Sequence, residues 1–240
     1  HVVGEALSAV ERRLVFVGLR LGAIGKGRDF SPEGVTRQIA AALGGSGLGY
    51  FDMAILDDPQ ADELPQKTLE LLKDFRATEQ VRNLGVAGDN PAMETYIATN
   101  AFDVLASPYN LKSGWLDRHR MRTASQKNMT VFGYDYFPSG LDNPKQVVPD
   151  PRKAPVRPVH PLYGAGSYGF LHETKNWTAE EICLAYALTE PTLSAVMIEA
   201  SDLTRLEQLA AVPERDLPNG LAAQIEMARF GEEKAQSKSA

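Results

Sequence analysis

The sequence has one cysteine, Cys183, so no disulfide can form within the 240-residue chain. No apolar run is long enough to cross a bilayer, and the first residues show no charged-then-apolar signal pattern. There is also no block of basic charge. The net charge is −6 and the lysines and arginines are scattered, which argues against nucleic acid and anionic membranes as main partners.

The composition predicts a soluble globular protein of the α/β size range, since 43% of the residues are hydrophobic. We predict a single domain over residues 1–230, followed by a polar tail at 231–240. The chain begins with His1 rather than methionine, so removal of an upstream targeting segment and an organelle matrix location form one hypothesis for its localisation.

Apolar strand patterns alternate with helical patterns along the chain. The strands are expected near residues 14, 51, 82, 103, 130 and 195, and each of the first five is followed by a helical pattern. This alternation predicts a parallel sheet, in either a doubly wound fold or a (β/α) barrel. No Gly-x-Gly-x-x-Gly motif follows the first strand, which weakens the doubly wound alternative.

Three motifs carry a resemblance to a known family. They are Leu48-Gly49-Tyr50-Phe51-Asp52 before a strand that ends at Pro59, Val81-Arg82-Asn83-Leu84-Gly85-Val86, and Phe102-Asp103-Val104 with Pro108-Tyr109-Asn110. In order and spacing the chain resembles the aldo-keto reductase family, a (β/α)8 barrel that uses NADP(H). The resemblance implies an α/β fold of TIM-barrel type, incomplete at the N-terminus, with about six βα units. Two strands of the family, and its catalytic aspartate and tyrosine, would then be absent.

The resemblance places the family's catalytic lysine at Arg20 and its catalytic histidine at Asp57. Arginine keeps the charge but does not readily lose a proton. An anion at position 57 opposes the negative charge that develops on a carbonyl during reduction. We therefore expect Arg20 and Asp57 to form a buried ion pair instead of a catalytic pair.

The resemblance also places six cofactor-binding positions on residues that lack the family's polar group. These positions are Ala87, Gly88, Ala106, Asp135, Glu199 and Asp202. In the segment Ile198 to Asp202, which corresponds to the family's phosphate-binding segment, two carboxylates would repel a phosphate. On this basis we expect no bound cofactor.

The leading prediction is therefore a non-catalytic accessory subunit of a larger protein assembly. Its contacts would be made through open barrel edges and through residues 141–177, a proline-rich segment interpreted as a docking arm rather than a substrate lid or a disordered insertion. The alternative is an enzyme. It would be either a divergent NADP(H)-dependent oxidoreductase or a cofactor-independent isomerase or lyase that uses Asp57, Arg20 and Tyr134.

A metal site was weighed as a further alternative. Asp57 and Asp58 with Glu199 and Asp202 could form a carboxylate cluster. No histidine lies at ligand spacing beside them, so solvated acids at turns and helix starts are favoured and no metal site is predicted.

Overall fold

The structure is a computed structural model and describes residues 2–24, 27–141 and 168–236. The described chain forms two compact units, residues 1–107 with 117–132 and residues 108–116 with 133–240. Within it, no helix is both long and apolar enough to cross a membrane. The prediction of one domain over residues 1–230 stays a prediction, as does the docking arm, because residues 142–167 lie outside the described part.

Eight strands are described, and most are close to their predicted positions. Their bounds are β1 Gly18–Leu21, β2 Ala23–Ile24, β3 Gly27–Arg28, β4 Phe51–Asp57, β5 Val81–Ala87, β6 Val104–Pro108, β7 Thr130–Tyr134 and β8 Ala195–Val196. Six of them form one sheet in the order β1-β4-β5-β6-β7-β8, and the pairs β1/β4, β4/β5 and β5/β6 are parallel. The strands β2 and β3 form a separate antiparallel hairpin that the sequence did not predict.

Nine α-helices fall within the described residues. They span Val2–Leu7, Pro32–Ser46, Gln66–Ala77, Ala92–Ala98, Trp115–Gln126, Phe170–Glu173, Ala179–Leu188, Leu203–Ala210 and Leu221–Gln236. The helix Leu221–Gln236 extends into the segment predicted as a polar tail. Its last residues include glutamate, lysine, alanine and glutamine, which are good helix formers.

The first unit is built around β4, in which six consecutive residues from Phe51 to Leu56 are buried. A strand buried on both faces is expected in a parallel sheet covered by helices. The helix Pro32–Ser46 begins where the sequence indicates, since Ser31 accepts a hydrogen bond from the Gly34 amide and Pro32 occupies the first helical position. Its side chains Val35 and Ile39 are fully buried.

The strand predicted near residue 14 is wrong in position, because residues 12–14 form a 3₁₀ turn and β1 starts only at Gly18. The reason is local. The Val17 amide donates to the carboxylate of Asp52 at 2.8 Å rather than to a backbone carbonyl, and this ends the regular pairing with β4. The chain before Val17 is therefore free to turn.

In the second unit, the helix Ala179–Leu188 is buried at seven of its ten positions. It begins with the predicted capping box. The Thr178 hydroxyl accepts from the Glu181 amide at 3.2 Å, and the Glu181 carboxylate accepts from the Thr178 amide at 2.7 Å. The helix Leu203–Ala210 is capped by Asp202, whose carboxylate accepts from the Arg205 amide at 2.9 Å. The starts of both helices lie at the carboxyl-terminal candidate site described below.

Candidate functional site

At the ends of β1 and β4 the structure brings Arg20 and Asp57 together as an ion pair. The predicted pairing is confirmed, whereas the predicted burial is wrong for Arg20. The Asp57 side chain is 15% exposed, but that of Arg20 is 68% exposed. Because Arg20 reaches the pair from the exposed side, its guanidinium remains accessible at the carboxyl end of the sheet.

A second arginine, which sequence reasoning missed, holds the same turn from the β2–β3 hairpin. Arg28 donates to the carbonyl oxygens of Asp57, at 3.2 Å, and of Asp58. It also forms an ion pair with Glu63 at 2.9 Å. No motif signals this role, because the contact is between residues 29 and 30 positions apart. Arg28 thus ties the hairpin to the turn that carries Asp57.

Asp58 adopts a left-handed backbone conformation with φ 51°, and its carboxylate turns inward. The Asn90 side-chain amide donates to the Asp58 Oδ1 at 2.7 Å. Gly88, with φ 141°, makes room for this carboxylate, since a Cβ on Gly88 would lie 2.2 Å from the Asp58 Oδ1. The Asp58 carboxylate is thus a structural group of this turn.

Of the six predicted cofactor positions, three line up on neighbouring strands of the first unit. Ala87 and Ala106 are buried at paired positions of β5 and β6, and the Gly88 amide donates to the Ala106 carbonyl at 3.0 Å. None of the three side chains can form a hydrogen bond. These positions provide space rather than polar contacts.

Tyr134 and Asp135 belong to the second unit. Tyr134 is half-buried at the end of β7, and its carbonyl accepts from the Tyr109 amide at 2.9 Å. Asp135 is exposed, with φ 53°, and its carbonyl accepts from the Asn110 side chain at 3.1 Å.

The second unit contains a cavity of about 560 Å³. Two helix starts border it, those of Ala179–Leu188 and Leu203–Ala210. Its lining is a mixture of aromatic, charged and neutral polar residues: Phe137, Leu171, His172, Trp177, Thr178, Ala179, Glu180, Glu181, Asp202, Thr204, Arg205, Gln208 and Leu209. The cavity therefore adjoins the segment Ile198 to Asp202. Apart from Asp202, the sequence did not single these residues out as a site, although the capping box marked one of the helix starts.

The charged groups of the cavity wall are arranged around Glu180. Its carboxylate accepts from Arg205 at 2.6 Å and from the Tyr136 hydroxyl at 2.9 Å. The Glu180 carboxylate holds the pKa of Arg205 above its usual value. Burial raises the pKa of Tyr136, and the same carboxylate raises it further. Arg205 is thus a charged group that already has an anionic partner.

The other wall of the cavity is formed by Trp177, which is fixed from behind by Arg215. The Arg215 guanidinium lies 3.8 Å from the centre of the Trp177 ring and pairs with Glu181 at 2.7 Å. An aromatic face held in this way suits a flat ring. Among the described residues, no group of three or more His, Cys, Asp or Glu side chains could hold a metal ion.

The parallel sheet with intervening helices, the polar groups at its carboxyl ends and a cavity beside a helix start define an α/β protein of TIM-barrel type. The chain belongs to the aldo/keto reductase family, whose sequence model matches residues 1–229. The resemblance found in the sequence is thereby confirmed, and with it the fold class.

Individual relatives are distant. The chain is 22% identical to the NADH-specific methylglyoxal reductase of Escherichia coli (strain K12), over 94% of this chain and 74% of that protein. The holo form of the aldo-keto reductase AKR11C1 from Bacillus halodurans superimposes with a TM-score of 0.73 at 16% identity, covering 94% of this chain and 76% of that one. The apo form of the same protein gives a TM-score of 0.70 at 16% identity.

The prediction that the chain uses no cofactor is wrong. It conflicts with membership of the family and with two similar proteins, one described as NADH-specific and one solved in a holo form. The prediction relied on missing side-chain donors at positions such as Ala87, Gly88 and Ala106. It did not include the cavity, which depends on helices that are distant in sequence.

Proposed function

We propose that this chain is an oxidoreductase that uses a nicotinamide dinucleotide to reduce a carbonyl compound. The observation that carries the proposal is the cavity of about 560 Å³ beside the segment Ile198 to Asp202. Its volume is in the range of small-molecule and cofactor sites. The dinucleotide would supply the hydride for the reduction.

The residues around the cavity fit the adenosine half of a dinucleotide. Trp177 offers an aromatic face, and Thr204 and Gln208 offer neutral hydrogen-bonding side chains. In the other unit, the small residues Ala87, Gly88 and Ala106 leave their strand ends without side chains that would compete for space. We assign the adenosine half to the cavity on this basis.

Arg20 is the residue that we assign to the reacting carbonyl. Its guanidinium is exposed at the carboxyl end of β1 and keeps its charge at every physiological pH, so it can stabilise negative charge on a carbonyl oxygen. Asp57 fixes the guanidinium and acts as a positioning residue. Arginine is a poor proton donor, so a different group has to protonate the oxygen.

A second candidate function is favoured by the same ion pair. Because Asp57 replaces the family's histidine and already engages Arg20, the chain could bind a dinucleotide without transferring hydride. It would then act through contacts with other proteins, as an accessory subunit of an assembly. A partner, an interaction with nucleic acid and the compartment of the protein all stay predictions.

Binding and turnover separate the two candidates. The chain is titrated with NADH and with NADPH by calorimetry, and oxidation of each dinucleotide is then followed at 340 nm with methylglyoxal as the carbonyl probe. Binding with turnover supports the reductase, and binding without turnover, together with a stable partner in native extracts, supports the accessory role. If neither dinucleotide binds at millimolar concentration, both candidates are contradicted.

A further inference from the structure

The cavity in the second unit has an excess of negative charge. Of the described residues that line it, Glu180, Glu181 and Asp202 are acids, and Arg205 is the one permanently charged cation. Glu199, three positions before Asp202, adds an exposed carboxylate to the adjoining segment. A ligand group that enters here meets more carboxylates than guanidinium groups.

Asp202 remains ionised at neutral pH. The Arg205 amide and the Ser201 hydroxyl both donate to its carboxylate, and these hydrogen bonds lower the pKa of Asp202 below its usual value. The side chain is held at the helix start by the bond to the Arg205 amide. Its negative charge is therefore a fixed feature of the cavity rim.

Arg205 is not available to balance a second anion. Its guanidinium donates to Glu180 at 2.6 Å, and Glu180 also accepts from Tyr136. Moving Arg205 to a phosphate would leave the Glu180 carboxylate, whose side chain is 18% exposed, without its cation. An unpaired carboxylate in such a place is unfavourable.

From this arrangement we infer that Asp202, with Glu199, makes the chain select a dinucleotide with a free ribose 2′-hydroxyl, NADH, over its 2′-phosphorylated form, NADPH. The inference rests on the proposed function. A carboxylate accepts a hydrogen bond from a ribose hydroxyl, whereas it repels a phosphate that carries nearly two negative charges. Like charges at this range are expected to weaken NADPH binding by about tenfold or more.

The test compares dissociation constants of NADH and NADPH for the wild-type chain, Asp202→Asn, Glu199→Gln and the double variant. Asparagine keeps the side-chain oxygen that caps the helix, so Asp202→Asn removes the charge and retains the cap. Glu207→Gln is the matched control, since Glu207 is exposed on the same helix but does not line the cavity. The pair 5′-AMP and adenosine 2′,5′-bisphosphate repeats the comparison for the adenosine half alone.

We expect the wild-type chain to bind NADH at least about tenfold more tightly than NADPH. Asp202→Asn should reduce this ratio by about threefold or more through tighter NADPH binding, and the double variant should reduce it further. Glu207→Gln should leave the ratio unchanged. Equal or tighter binding of NADPH by the wild-type chain, or an unchanged ratio in Asp202→Asn, would overturn the preference while leaving the proposed function intact. Failure of both dinucleotides to bind would overturn the proposed function and the preference together.

Discussion

The guanidinium of Arg20 is paired with the carboxylate of Asp57, the residue that ends the neighbouring strand β4. The register explains this pairing. Arg20 lies opposite Ile55, and Asp57 follows Ile55 by two residues, so both charged side chains point to the same face of the sheet. The family's lysine and histidine are thus replaced by two residues of opposite charge that neutralise each other.

Replacement of Arg20 by alanine tests its assigned role. We expect kcat for carbonyl reduction to fall about 10²-fold, because one electrostatic contact to the carbonyl oxygen is lost, while the dissociation constant for NADH stays within about twofold. Arg37→Ala is the matched control, since Arg37 is 67% exposed and pairs with Asp29. An unchanged kcat in Arg20→Ala would contradict the assignment, and an inactive wild-type chain would favour the accessory role.

Asp52 is predicted to stabilise the first unit in a pH-dependent way. Burial alone would raise its pKa, but hydrogen bonds from the Val17 amide and from Arg12, with the charges of Arg12 and Arg82, bring the pKa below its usual value. A lowered folded-state pKa means that this stabilisation is complete above the unfolded pKa, near 4, and is lost as the pH falls through the folded pKa.

Asp52→Asn should therefore lower the free energy of unfolding by about 3 kcal/mol at pH 7, since it leaves Arg12 without its buried partner. Urea titrations at pH 7 and pH 3 measure the effect, and the difference between wild type and variant should shrink at the lower pH. Asp74→Asn, at an exposed aspartate, serves as the control and should change stability by less than about 0.5 kcal/mol. A variant as stable as the wild type at pH 7 would rule out this role.

Gly88 is expected to be intolerant of a side chain. Its φ of 141° is unfavourable for other residues, and a Cβ would lie 2.2 Å from the Asp58 Oδ1. Gly88→Ala should cost about 1–3 kcal/mol of stability, measured by thermal or urea unfolding. Gly49→Ala, where a Cβ meets no atom within 4 Å, should be close to neutral. Equal stability of the two variants would contradict the strain at Gly88.

The capping box of the helix Ala179–Leu188 provides a prediction in the second unit. Thr178→Ala removes the acceptor for the Glu181 amide and should lower stability by about 1 kcal/mol, or about 2–4 °C in Tm. Thr178→Ser keeps the acceptor and should retain the wild-type Tm. Scanning calorimetry measures both variants, and a Tm in Thr178→Ala that matches the wild type would show that the cap is not stabilising.

Much of the fold was predictable because its signals are local. The buried strand Phe51–Asp57, the cap at Ser31 and the capping box at Thr178 depend on residues within a few positions of one another. The start of β1 was not predictable. It depends on the Asp52 carboxylate, which lies 35 residues from the Val17 amide that it binds.

For the site, the sequence alone determined which residue types stand at the strand ends, and through the family's motifs it identified Arg20 and Asp57 as a pair. Only the tertiary structure decided what those residues do. It left the Arg20 guanidinium exposed, it occupied Asp58 with Asn90, and it formed the cavity between the starts of two helices. Loss of a hydrogen-bonding side chain can be read from sequence because it is a property of one residue. A cavity and its charge balance are properties of many residues that are distant in sequence, so they exist only once the chain has folded.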